Sequence, residues 1–219
     1  MTAIRDRMAG WLAFFALVCQ VCGAEEPVTS TTPPVAAVAP APVAPATVEV
    51  VLHTALGDIH FALEKDRAPI STANFLRYVD QKRLDNSTFY RAVKISEDGK
   101  YGLVQGGLKG NPKLALKPIA HEPTSATGLS HVDGAISMAR TNPGTATADF
   151  FIVIGDLTSL DAKADGSDPG YAMFGRVTAG MDIVHQMLEL PRSAEAGDGS
   201  MKGQMLAEPV KILTVRRAQ

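Results

Sequence analysis

From residue 48 onward the chain is a succession of short apolar runs whose period switches between two and nearly four. "VEVVLHT" (48–54) and "DIHFALE" (58–64) are rich in β-branched and apolar residues, and Ala55-Leu56-Gly57 between them reads as a hairpin turn. Pro69 and Ser71 then give a helix start signal, and Phe75, Leu76 and Val79 fall on one helical face, which predicts a helix near 70–82. Runs bounded by Gly, Asn, Asp and Pro predict strands around 88–94, 101–106, 134–139, 149–154 and 171–177. Ile183, Val184, Met187 and Leu188 form the apolar stripe of a second helix over 180–190, which Pro191 stops. "EPVKILTVRR" (208–217) supplies a last strand. Many short strands with two helices predict a β-barrel or a sandwich with helices as plugs, and periodicity leaves those two architectures open.

The residues before 48 have a different texture. Arg5 and Arg7 precede an apolar run from Met8 to Val18, and Cys22-Gly23-Ala24 offers small residues for cleavage, a pattern that predicts a signal peptide over 1–24. A retained membrane anchor is the weaker alternative, because Gln20 interrupts a run already short of the roughly 20 residues a spanning helix needs. Residues 25–47 contain six prolines and no aromatic residue, so they predict a Pro/Ala/Thr-rich disordered linker with partial polyproline-II character. Residues 48–219 are then the folded domain, and a hydrophobic content of 46% suffices to fill its core.

Composition narrows the chemistry. Cys19 and Cys22 both lie in the signal segment, so cleavage after Ala24 leaves no thiol nucleophile, no disulfide and no cysteine-based zinc site. Loss of Arg5, Asp6 and Arg7 reduces the 21 basic and 23 acidic residues to 19 and 22, a net charge of −3. That balance argues against a nucleic acid or an anionic membrane as partner. His53, His60, His121, His131 and His185 lack metal-ligand spacing and read as structural or surface groups. The stretch Asp161-Ala162-Lys163-Ala164-Asp165-Gly166 is a poor calcium loop, with Lys at its third position and Ala172 at its twelfth. Ser130, His131 and Asp133 sit too close in sequence to orient as a catalytic triad.

What remains is a set of linked motifs without a nucleophile: Phe89-Tyr90-Arg91, Val104-Gln105-Gly106-Gly107, Ile136-Ser137-Met138-Ala139-Arg140, Phe150-Phe151-Ile152 and Phe174-Gly175-Arg176-Val177. In this order and spacing, from about Val48 to Val215, the sequence resembles the cyclophilin-type peptidyl-prolyl cis-trans isomerases, and among them the exported bacterial branch. The resemblance implies a mainly β fold, an eight-stranded antiparallel β-barrel capped by two α-helices, with a peptide groove on its outer face. It implies Arg91 as the catalytic residue and Gln105 as a contact to the substrate backbone. Phe151 becomes the floor of a proline pocket, with Leu103, Ala139, Leu160 and Tyr171 around it. It further implies a periplasmic monomer that acts on proline-containing polypeptides during the folding of exported proteins, with no cofactor and no metal.

The sequence departs from the family pattern at several pocket positions. Ser159 stands where many eukaryotic relatives carry a tryptophan, and Tyr171 where they carry a histidine. Gly102-Leu103 replaces a Phe-Met pair, Asp149 replaces a glutamine, and the loop "AVKISEDGKYGL" after Arg91 is longer than in compact members. These changes alter the pocket wall and leave the arginine in place. The main alternative is a non-catalytic proline-peptide-binding or chaperone module on the same barrel, which the retained Arg91 disfavours. A scaffold built on the proline-rich linker is weaker still, since that linker lacks a PxxP-basic pattern.

Overall fold

The computed structural model describes residues 44–218. The expected signal peptide and all but the end of the expected linker lie outside the described residues; Thr47 already opens the first strand. The strands are β1 (Thr47–Thr54), β2 (Gly57–Glu64), β3 (Thr88–Lys94), β4 (Gly102–Gly107), β5 (Ala135–Met138), β6 (Phe150–Ile154), β7 (Ala172–Ala179) and β8 (Met205–Arg217). They close into one barrel in the order β1-β2-β7-β5-β6-β4-β3-β8, every pair antiparallel. Closure removes every free sheet edge and decides for the barrel over the sandwich.

The first hairpin is tighter than three residues. Gly57 already pairs with Thr54, so only Ala55 and Leu56 form the turn. Thr54 Oγ1 donates to the Gly57 carbonyl at 2.6 Å and accepts from the Leu56 N–H at 3.1 Å. Gly57 has φ +135°, a conformation that L side chains rarely adopt, and a Cβ there would also press on the tip of Ile183 at 2.7 Å.

Two helices close opposite ends. The first, α1 (Pro69–Asp80), begins just beyond the end of β2, with Ala68 N–H bonded to the Glu64 carbonyl. A one-turn helix, α2 (Thr124–Thr127), was not foreseen, because four residues carry no periodicity; it ends on Gly128 in the left-handed region. The last helix, α3 (Met181–Glu189), brings Ile183 against Gly57 at the start of β2, and buries Val184, Met187 and Leu188. Pro69 occupies the first turn of α1 as expected, but Ser71 does not cap it. Instead the buried Glu122 carboxylate accepts the N–H groups of Ile70 at 3.0 Å and Ser71 at 2.6 Å.

Alternation along each strand sends one set of side chains inward. Phe61, Phe150 and Phe174 from three strands meet Phe75 of α1 inside the barrel, and Phe89 of β3 joins them through Phe150. Phe150 lies at the centre of this group, edge-on to Phe61, Phe75 and Phe89 at centroid distances of 5.9, 5.4 and 5.7 Å. Among the described residues no helix is long and apolar enough to cross a membrane.

Candidate active site

A single row of paired positions crosses six adjacent strands. Met205, Arg91, Gln105, Phe151, Ser137 and Met173 are successive partners on β8, β3, β4, β6, β5 and β7. Directly paired residues share a face of the sheet. Phe150 and Ile152 point into the core, so Phe151 between them points outward. On β3 the register shifts between Phe89 and Arg91. This bulge breaks the alternation: Phe89 stays in the core, while both Tyr90 and Arg91 reach the groove.

All seven residues expected at the site, Arg91, Leu103, Gln105, Ala139, Phe151, Leu160 and Tyr171, line one open cavity of about 610 Å³. Phe151 is buried at its base, with Tyr171 edge-on at 5.3 Å and the His131 ring stacked behind it at 6.2 Å. Leu160 ends a short 3-10 turn (Thr158–Leu160), and its carbonyl accepts the Tyr171 N–H at 2.9 Å, which ties these two walls to each other. Ala139 follows β5 and is tied by its N–H to the Asp149 carbonyl at 2.9 Å. Ser159 stands exposed on the same 3-10 turn.

The polar side of the cavity is a hydrogen-bonded chain. Arg91 donates from Nη1 to Gln105 Oε1 at 2.7 Å. It also donates from Nε and Nη2 to Gln204 Oε1 at 2.9 and 2.6 Å. Gln105 Nε2 donates in turn to the Tyr90 hydroxyl at 2.7 Å. Among the described residues no carboxylate pairs with Arg91, so its charge is oriented by neutral oxygens and left uncompensated. Burial lowers its pKa, against the raising influence of Tyr90 and Tyr171, yet an arginine remains a cation throughout the physiological range. Burial, with Asp149 as second cause, pushes the Tyr90 phenol up and keeps it neutral. Burial also raises the Asp149 carboxyl, although the N–H groups of Lys109 and Gly110 bond to it at 2.8 and 3.1 Å.

Behind the pocket floor lies a second buried network. His131 is fully enclosed, with Nδ1 2.5 Å from Asp161 Oδ1 and Nε2 2.9 Å from Ser137 Oγ. Burial lowers the His131 pKa against the pull of Asp161, so the ring is neutral, donating to Asp161 and accepting from Ser137. For Asp161 burial acts upward, but hydrogen bonds from Ser130 and His131 prevail and hold it below the ordinary carboxylate range. His131 is thus a structural group, as its lack of ligand spacing suggests, and its partners are Asp161 and Ser137, not Asp133. Among the described residues no three His, Cys, Asp or Glu side chains converge to hold a metal.

Sequence reasoning missed Tyr90, Arg140 and Gln204. Tyr90 adjoins Arg91, and an aromatic with a hydroxyl beside a candidate catalytic group was a usable signal. Arg140 lies over the Tyr171 ring at 4.7 Å and donates to the Gly170 carbonyl. Gln204, 113 positions from Arg91, has no local signature at all.

The groove thus joins an apolar pocket to a fixed cation. Known proteins show the same arrangement of sequence. A family model described as "Cyclophilin type peptidyl-prolyl cis-trans isomerase/CLD" matches residues 49–217. A peptidyl-prolyl cis-trans isomerase of Acinetobacter baylyi is 35% identical over 168 residues, covering 75% of this chain and 82% of that protein. Peptidyl-prolyl cis-trans isomerase B of Escherichia coli is 33% identical over 170 residues, covering 76% of this chain and 97% of that protein. Among solved structures, a Cryptosporidium parvum cyclophilin type isomerase shares the fold at a TM-score of 0.61 and 22% identity, over 80% of this chain and 99% of that one. A second structure of it, obtained in the presence of the dipeptide Ala-Pro, gives a TM-score of 0.62 at 22% identity, over 78% of this chain and 99% of that one. With the barrel and its ordered motifs in place, this chain belongs to the cyclophilin-type peptidyl-prolyl cis-trans isomerases.

Proposed function

We propose that this chain accelerates rotation about X-Pro bonds in exported polypeptides, with Arg91 stabilising the twisted transition state non-covalently. In the planar amide the nitrogen lone pair is delocalised into the carbonyl; the barrier is about 18–20 kcal/mol, and unaided X-Pro exchange takes tens to hundreds of seconds. At the twisted transition state that delocalisation is lost, and the prolyl nitrogen regains a basic lone pair. A guanidinium N–H bonds this lone pair far better than it bonds the planar nitrogen, which is differential binding of the transition state.

The observation that carries this reading is the row Arg91–Gln105–Phe151 on three adjacent strands. Phe151, Leu103, Leu160, Tyr171 and Ala139 receive the proline ring. Among the described residues, Arg91 keeps two of its five N–H groups uncommitted, one on each Nη. Gln105 keeps one amide N–H for a substrate carbonyl. A rate gain of about 10⁵ requires only about 7 kcal/mol off the barrier. A partly buried charged donor, with one fixed carbonyl, is of that order.

A protease-coupled assay with an Ala-Pro peptide tests the catalytic part. Wild type accelerates the slow phase, and Arg91→Ala loses most of that acceleration at an unchanged melting temperature; equal rates in the two proteins refute the role of Arg91. Mass spectrometry tests the export part. A mature amino terminus at Glu25 in the periplasmic fraction supports it, and intact residue 1 in membranes contradicts it.

A further inference from the structure

Arg91 is held from two sides, and one holder comes from outside every motif that marks the family in this sequence. Gln204, immediately before β8, accepts from both Nε and Nη2 through a single oxygen, while Gln105 accepts from Nη1. A guanidinium is planar with its donors in a rigid fork. One acceptor on the Nε/Nη2 edge and another at Nη1 therefore fix both its plane and its direction. The backbone of Gln204 is pinned as well: its carbonyl accepts the Ala92 N–H at 3.0 Å, and its N–H donates to the Met201 carbonyl at 3.1 Å. The stretch ahead of it supplies Ala196, Gly197, Asp198 and Met201 to the cavity wall.

We propose that Gln204 is a positioning residue for the isomerisation, holding the Arg91 guanidinium towards the prolyl nitrogen without cancelling its charge. The inference rests on the reading of Arg91 as the group that meets that nitrogen. A long, unrestrained arginine spreads over many rotamers, whereas the twisted amide needs one N–H in one place. Misplacement of a catalytic group by about 1 Å costs on the order of 10²-fold. The neutral amide oxygen matters for the same reason as its position. A carboxylate there would hold the fork equally well while placing a countercharge against the cation.

The test uses the purified protein and a peptide containing Ala-Pro. NMR exchange spectroscopy at saturating peptide gives the isomerisation rate on the enzyme, and shift titration gives the peptide Kd. Gln204→Leu is expected to lower the on-enzyme rate about ten-fold or more, with the Kd changed less than three-fold (~) and the melting temperature unchanged. Gln204→Glu keeps the acceptor oxygen and is expected to fall between wild type and Gln204→Leu. In an Arg91→Ala background, Gln204→Leu should have no further effect. A wild-type rate in Gln204→Leu overturns the proposal, as does a Glu variant no better than the Leu variant, or an additive loss in the Arg91→Ala background. If Arg91→Ala is itself fully active, the reading of Arg91 fails first; if it is inactive while Gln204→Leu is normal, only the role of Gln204 fails.

Discussion

Phe150 and Phe151 are neighbours in sequence, and the register of β6 gives their truncation opposite consequences. Phe150 is fully buried, edge-on to three rings at 5.4 to 5.9 Å. Phe→Ala in a core costs about 3–5 kcal/mol, and each aromatic pair contributes about 0.5–1.5 kcal/mol beyond area. With three such pairs and closed barrel walls that cannot collapse inward, Phe150→Ala should cost about 5 kcal/mol, the upper end of that range. For a domain of this size that is a fall in Tm of about 10–20 °C. Phe151 touches His131 and Tyr171 but opens onto the groove, so water fills the space its removal leaves. Only the burial contribution is lost, about 2 kcal/mol. Its main effect is on the proline pocket, where loss of the floor should lower kcat/KM about ten-fold, or about 1.4 kcal/mol. Urea unfolding followed by fluorescence and a protease-coupled assay on the same preparations measure both. Equal stability losses in the two variants, or a normal kcat/KM in Phe151→Ala, would show that the in-out register of β6 is wrong.

Three further outcomes are expected. Arg91→Lys keeps the charge but not the planar fork that bridges Gln105 and Gln204, so kcat/KM should fall about 10²-fold in the same assay at constant Tm. Cyclosporin, which inhibits many family members, should bind weakly, because the exposed Ser159 lacks the indole donor and apolar face of a tryptophan. Loss of such a hot spot costs about 2 kcal/mol or more, about thirty-fold in Kd; calorimetry of Ser159→Trp should show the gain, and nanomolar binding by wild type would refute the account. His131 should also make stability pH-dependent. Its pKa is lowered by burial, so the unfolded chain binds the proton more readily; its contribution is complete above the ordinary histidine value of about 6.5 and is lost as pH falls below it. Calorimetric Tm values between about pH 8 and 5 should therefore slope more steeply in wild type than in His131→Gln, and identical slopes would contradict the assignment.

What the sequence determined by itself was set by short-range physics. Short apolar and β-branched runs and their Gly, Asn, Asp and Pro boundaries located all eight strands, because strand preference and turn chemistry act over a few residues. The stripes Phe75-Leu76-Val79 and Ile183-Val184-Met187-Leu188 located the two end helices for the same reason. The ordered motifs carried the family and brought seven residues to attention, all of which line one cavity. Tertiary structure alone decided which strands are neighbours, and hence that the barrel closes with β4 between β3 and β6. It set the carboxylate of Glu122, more than fifty positions away, against the first N–H groups of α1. It made the bulge at Tyr90 that turns Arg91 outward, and it set Gln204 against that guanidinium. Polar side chains such as Glu122, Gln204 and Asp161 take their meaning from the donor the fold brings to them. A hydrogen bond depends on tenths of an ångström between atoms far apart in the chain, and no local pattern of residues encodes that distance.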